Sequence, residues 1–182
     1  DGITVINISG LTFPDPSKEL DKCSSEEKIS LVIVSLLNRL IRDIMFSMPV
    51  NIPKFLMIDE AWSVVSLPSS RGLIEEVLLK GRSKNMACIL LTQATSHLDF
   101  NDGTDLDAGI QMRFAFGSQD AKDNLLTCQK MRISEYQQWA KAVETLGVGE
   151  CLMCDVFGRH GIIQIKSDEE WKEIFKTTPE LN

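Results

Sequence analysis

Residues 55–62 read FLMIDEAW: four apolar residues run directly into two adjacent carboxylates, Asp59 and Glu60, with Trp62 just behind. With Lys54 in front, "KFLMID" is a near-continuous apolar run, the pattern of a strand covered on both faces in a parallel sheet. A charged pair emerging from such a strand is costly unless something at its tip uses it. The stretch therefore poses a fold and a chemistry together.

Outward from it, the pattern repeats. Upstream, "GITVINISGL" alternates β-branched residues and ends at Gly10, which predicts an opening strand of about six residues closed by a turn. The polar "TFPDPSKELDK" reads as a loop. Ser24 and Glu27 then form a capping box, followed by Ile29, Val32, Ile33, Leu36, Leu37, Leu40 and Ile44 at helical spacing. That predicts a long amphipathic helix of roughly six turns, ended by Pro49 and Pro53. Downstream, a helix from about Ser69 to Leu79 with Leu73, Ile74, Val77 and Leu78 as its buried stripe leads to a second buried strand, "MACILLTQ". "MRFAFGS" reads as another. "DAKDNLLTCQKM" and "SEYQQWAKAVETL" read as helices, with Trp139 and Val143 on a core stripe of the second. "ECLMCDVFGRHGIIQI" reads as a β-hairpin and "SDEEWKEIFK" as a terminal helix. Strands alternating with helices across short connections predict an α/β domain with a mainly parallel sheet, in which ligands sit at the carboxyl ends of strands. Three such ends carry polar groups: Asp59 and Glu60, Thr92 and Gln93, Ser9 and Gly10. If the strands are neighbours, these groups converge on one edge.

The chain has 182 residues and 43% hydrophobic content, enough for one domain with a real core. Its apolar stretches are interrupted by charges well before the ~20 residues a bilayer span needs, and no basic-then-apolar leader opens the sequence. A soluble chain is expected, with membrane attachment only through a partner. The net charge of −7 argues against nucleic-acid binding by bulk electrostatics, although a local basic loop remains compatible with it. Five scattered cysteines, several inside apolar runs, favour a reducing cytosol.

An Asp at the tip of a buried strand, followed by Glu, has the chemistry of a Walker B element. The first carboxylate holds Mg²⁺ through water and the second orients and deprotonates the attacking water. The competing account is that the pair caps the following helix, where acids favour the positive dipole end. Gln93, closing the next strand, suits a sensor for the γ-phosphate or the attacking water; a Gln tying down a loop explains it equally. The spacing between Glu60 and Gln93 holds one helix and one crossover, as a right-handed parallel connection demands.

"FLMIDEAW" followed by "EEVLLKGRSKNMACILLTQATSHLDF" resembles the motor ATPases of conjugation and type IV secretion, the TraC-type family that includes the fourth component of the VirB system. "ITVINISGL" resembles that family's strand before its long helix. HerA-like DNA pumps are similar but more often carry Ala-His after the acid pair, so Trp62 favours the secretion branch. "IQMRFAFGSQDAKDNLL" and "LGVGECLM" are similar to a stretch of FtsK-like translocases in which a strand arginine reaches a neighbouring subunit's nucleotide. The resemblance covers most of residues 3 to 166, with 55 to 100 its specific part. It implies a RecA-like P-loop NTPase three-layer sandwich and a C-terminal β-hairpin, in a single domain spanning 1–182 with a core at 1–118. It further implies ATP and Mg²⁺ as cofactors, with Asp59 holding the metal, Glu60 and Gln93 catalytic, Thr92 and Arg82 at the nucleotide, and Arg113 as arginine finger; Arg159 in "FGRHG" is the second candidate. The implied partners are a homo-hexamer and other type IV secretion components at the inner membrane, with DNA as a candidate substrate, for a cytoplasmic protein peripheral to the membrane's inner face.

No G-x-x-x-x-G-K-[ST] phosphate loop occurs in the sequence, and "GLTFPDPSK" does not substitute for it. Since the family places its loop upstream of residue 1, the expectation is the carboxyl-terminal portion of a longer motor, inactive by itself. The resemblance sets the phosphate-loop strand between the Walker B and sensor strands, so its absence leaves two outcomes: those strands close up, or something else fills the gap. A different class of function also fits, a non-catalytic assembly module whose acid pair is structural. Of the remaining features, Cys151 and Cys154 lack a second pair for zinc and read as core cysteines. His97 and His160 are isolated from other ligand types. Lys80, Arg82 and Lys84 complement the dipole of the helix they close, or contact nucleotide, a translocated strand or a partner.

Overall fold

The computed structural model describes residues 2–14, 18–65, 67–98, 106 and 109–174. The chain divides into two compact units, residues 1–109 and 110–182. The fold is mixed α/β with a parallel strand pair in the first unit and an antiparallel sheet in the second. Among the described residues, no helix is long and apolar enough to cross a membrane.

In the first unit, α1 (Ser25–Ser47) starts at the expected capping box: Ser24 accepts from the Glu27 N–H at 3.1 Å, and Glu27 accepts from the Ser24 N–H at 2.6 Å. Met48 turns extended ahead of Pro49 and ends it. β1 (Lys54–Ile58) follows, then the single turn α2 (Ala61–Val65), α3 (Pro68–Lys84) and β2 (Met86–Leu90). α3 runs five residues past the expected Leu79, because Asn85 supplies the left-handed C-cap at φ 52°. Gly81 lies in its last turn. A Cβ there would stand 2.7 Å from the Met86 carbonyl oxygen, so only glycine lets the helix close onto the start of β2.

β1 and β2 pair directly and in parallel, Lys54 opposite Met86 through Ile58 opposite Leu90. Of the two outcomes left open by the missing phosphate-loop strand, the strands closing up is the one observed.

Coverage of the pair differs from expectation. One face packs Leu56 and Cys88 against Met45, Leu73, Val77 and Met86, with Ile58 and Leu90 beside a second cluster of Ala61, Val65, Ile74 and Leu106. The other face leaves Phe55 71% and Met57 62% exposed. The helices α1 and α3 cover one side only, so a sequence apolar on both faces is buried on one. α3 buries its expected stripe. α1 meets α3 through Met45, which clusters with Leu73 and Val77, and an Asn38–Ser70 side-chain bond of 2.8 Å; Val34 is buried, while Ile29, Val32, Leu36, Leu40 and Ile44 face outward. Buried Lys54 is satisfied by the Met48 and Pro49 carbonyls at 3.2 and 3.3 Å.

The expected opening strand does not form. Ile3 is 94% and Val5 84% exposed, and residues 2–8 join no ladder among the described residues. The Ile8 carbonyl instead accepts from the Leu11 N–H at 3.0 Å in a local turn. Strand-forming composition cannot act without a neighbouring strand to accept it.

In the second unit, β3 (Arg113–Phe116) pairs antiparallel with β4 (Glu150–Cys154), which pairs antiparallel with β5 (His160–Gln164). The hairpin is as expected, but "MRFAFGS" is not a further strand of the parallel sheet, and Phe114 and Phe116 are exposed rather than buried. α4 (Ala121–Lys130) and α5 (Tyr136–Glu144) pack on this sheet. Cys128, Met131, Ile133, Ala140, Val143, Leu152 and Cys154 form the core, with Trp139 against it. α6 (Glu169–Ile174) closes the described chain; the last two residues of the expected terminal helix lie outside it.

Candidate functional site

The parallel register sets the two strand tips side by side. The Leu91 N–H donates to the Ile58 carbonyl at 2.9 Å, and the Ala61 N–H donates to the Leu91 carbonyl at 2.8 Å, so the ladder runs past the last strand residue and fixes the chain on either side of the acid pair. Between those anchors Glu60 takes a left-handed backbone at φ 49°. That conformation is unusual for a residue with a side chain. It is enforced here because Ala61, fully buried in its cluster, cannot move to relieve it.

The Glu60 side chain is held from both sides. Gln93 Nε2 donates to Oε1 at 2.6 Å, and the Trp62 indole N–H donates to Oε2 at 2.9 Å. Asp59 Oδ1 accepts from the Glu60 backbone N–H at 3.0 Å, and the Asp59 residue is exposed at the tip. Thr92 Oγ1 donates to the Ala94 carbonyl at 3.1 Å, shaping the turn that follows Gln93. That turn leads into a single 3-10 turn, Thr95–Leu98, whose His97 ring lies 5.7 Å from the Trp62 ring at a 52° tilt. The arrangement joins a paired carboxylate, an amide and an indole donor at the carboxyl ends of two parallel strands, as polar chemistry in an α/β sheet requires. Sequence reasoning named Asp59, Glu60, Thr92 and Gln93 and missed the contact of Trp62. The signal was present: an indole is a donor only, and its position two residues after a carboxylate invites that bond.

The third expected tip does not join them. Ser9 donates its N–H to Asn7 Oδ1 at 2.9 Å, and Ser9 and Gly10 close the Ile8–Leu11 turn rather than a strand. Arg82 is exposed in the last turn of α3, where its carbonyl accepts from the Asn85 N–H. In the same helix Lys80 pairs with Glu76 at 2.8 Å.

Arg113 opens β3 in the second unit, half-buried and opposite Cys154. Arg159 is committed within its own hairpin, Nη2 2.6 Å from Asp155 Oδ2 and its guanidinium 5.2 Å from the Phe157 ring centre. Burial pushes the Asp155 carboxyl up, but the Arg159 guanidinium and the N–H groups of Phe157 and Arg159 outweigh it and hold the group below its ordinary value. Cys151 and Cys154 are both buried, and burial raises both thiols above the usual range. His160 packs edge-on to Trp139, ring centres 5.1 Å apart.

Among the described residues, no group of three or more His, Cys, Asp or Glu side chains could hold a metal ion. A single exposed carboxylate such as Asp59 suits Mg²⁺, which keeps most of its waters and takes one or two carboxylates together with phosphate oxygens.

A family model described as an AAA-like domain matches residues 1–175. No curated protein matches the chain. Similar solved structures include the genome packaging NTPase B204 from Sulfolobus turreted icosahedral virus 2 in complex with AMPPCP. It shares 18% identity at a TM-score of 0.43, covering 63% of this chain and 53% of that one. The same NTPase in complex with sulfate gives 20% identity and a TM-score of 0.44 over the same shares. The chain thus spans about half the length of these structures.

Proposed function

From the premise that this chain belongs to the AAA-like domain family, we propose that it carries the hydrolytic edge of an ATP-driven motor of the conjugation and type IV secretion kind. The observation that carries the reading is the 2.6 Å bond from Gln93 to Glu60 across the two strand tips. It joins a carboxylate able to accept a proton to an amide able to report on phosphate, on neighbouring strands of a parallel pair.

Asp59 is the residue that would hold Mg²⁺ through water, and the ion when bound would neutralise charge on the phosphates. Glu60 orients the attacking water and takes its proton. Gln93 exchanges its bond to Glu60 for one to the γ-phosphate, with Thr92 shaping the turn behind it; Arg82 has no part in this set, since it closes α3 beside the start of β2, at the opposite end of the strands. Arg113 acts on a neighbouring subunit's nucleotide in a hexamer. The backbone cradle and lysine that grip the phosphates are not among these 182 residues, so the grip comes from elsewhere in the full-length protein. The working motor is cytoplasmic, at the inner face of the membrane with the other components of its secretion system. DNA is among its possible substrates.

The test is turnover by the full-length protein. Glu60→Gln is expected to abolish phosphate release while leaving ATP binding intact; retained turnover removes Glu60 from this role.

A further inference from the structure

We propose that the outer face of α1 docks a second copy of this chain, helix against helix and antiparallel about a two-fold axis. The proposal is independent of the role given to Glu60.

α1 is apolar on both sides. Met45 and the Asn38–Ser70 bond turn one side toward α3, and the opposite side presents Ile29, Val32, Ile33, Leu36, Leu40 and Ile44. All six are more than half exposed except Ile33, at 38%. Single exposed aliphatics are ordinary surface, but these share one stripe about 120° wide, as broad as the stripe a helix normally buries. Lys28, Ile29, Val32 and Ile33 line a shallow depression on it, in which a side chain of a partner can seat.

The spacing selects that partner. Ile29, Ile33, Leu36 and Leu40 fall at intervals of four, three and four, the alternation by which two helices interlock as knobs in holes. Laid antiparallel on itself, the row matches at every layer: Ile29 meets Leu40 of the second copy, Ile33 meets its Leu36, and the two-fold axis repeats both. Each layer then holds one isoleucine and one leucine, which are of similar volume. The polar flank matches as well. In the same register Lys28, which is exposed, comes beside Asp43 of the second copy. The Asp43 side chain is 59% exposed, and its own cations, Arg42 at 3.6 Å and Arg39 at 3.9 Å, are distant enough to leave it able to take a closer one. Antiparallel helices also oppose their macrodipoles. A stripe on the order of 500 Å² buried on each copy gives about 1,000 Å² in all, the size of a weak, reversible interface.

The experiment is disulfide trapping in the full-length protein. Ile33→Cys and Leu36→Cys are oxidised separately and as an equimolar mixture, and the cross-linked fraction is read on a denaturing gel. The native cysteines are buried or half-buried, and the unsubstituted protein sets the background. The mixture is expected to cross-link severalfold more than either variant alone, because position 33 meets position 36. Higher yields from the separate variants would mean parallel pairing and overturn the register. Background yields throughout overturn the proposal, since something other than a second copy then covers the face. Lys28→Asp added to both variants should weaken association, and with it the cross-linking, about tenfold. Adding Asp43→Lys as well should restore it; indifference to both changes overturns the register. Lys28→Asp sets an acid near the positive end of α1, so the helix itself is not weakened. Melting midpoints in dilute protein should match across the variants. A midpoint lowered by Ile33→Cys or Leu36→Cys would show that the face packs within its own chain, and overturns the proposal.

Discussion

At the scale of single residues, strain and charge meet at Glu60. Its φ of 49° is conformationally expensive for any side chain but nearly free for glycine. Glu60→Gly should therefore be more stable than Glu60→Ala by about 1 kcal/mol, measured by chemical denaturation, while both lack turnover in the full-length protein. Equal stability would mean that the backbone relaxes and stores no strain. Gln93→Leu removes the donor on Oε1 and should lower turnover while leaving the β1–β2 ladder intact, since the backbone bonds of Ile58, Ala61 and Leu91 do not involve that side chain. The identities at this site were legible because an acid pair behind an apolar run is a strong local signal. The left-handed turn and the Gln93 contact were not, because they depend on the pairing of β1 with β2, which joins residues about thirty positions apart.

Elements are set by caps, closing contacts and ion pairs. Ser24→Ala breaks one half of the capping box and should destabilise α1 by about 1 kcal/mol. Gly81→Ala drives a Cβ into the Met86 carbonyl, so the α3–β2 joint must shift, at a cost of roughly 1–3 kcal/mol. Melting curves read both effects. Between α1 and α3, Glu76 accepts two bonds from Arg42, at 2.6 and 3.1 Å, and one from Lys80 at 2.8 Å. The Arg42 and Lys80 hydrogen bonds lower the Glu76 carboxyl from the ordinary 4.5 to about 2. A carboxyl depressed in the folded state stabilises above its unfolded value and loses that contribution as pH falls toward the folded one. The stability difference between the native chain and Glu76→Gln should therefore be constant well above the unfolded value of 4.5 and shrink as pH falls from there through about 2; a difference undiminished at pH 2 would remove the ion-pair account. Helix positions were readable from spacing and capping. Which side of α1 is buried was not, because its apolar residues spread round the helix and only the position of α3 selects Met45 over Leu36 and Leu40.

For the whole molecule, the two units carry separate cores. Leu152→Ala, at a fully buried position of the second core, should cost about 2–5 kcal/mol. The damage should appear as lost amide-exchange protection in β3, β4 and β5, with β1 and β2 keeping theirs. Residues 1–182 alone should release no phosphate from ATP, since they hold no phosphate loop; measurable release would overturn the proposed division of the site. Apolar runs, caps and turn residues act over a few positions, and on that range the sequence by itself determined the longer helices α1, α3, α4 and α5, the parallel strands β1 and β2, the hairpin and the acids at Asp59 and Glu60, but not the single turn α2. Partner choice acts over long separations. Only the tertiary structure decided that "GITVINISGL" finds no neighbour, that β3 runs antiparallel to β4, that one face of β1 stays open, and that Gln93 and Trp62 share one carboxylate. Each of these depends on which hydrogen-bonding edge or apolar surface another segment reaches, and no local pattern encodes that.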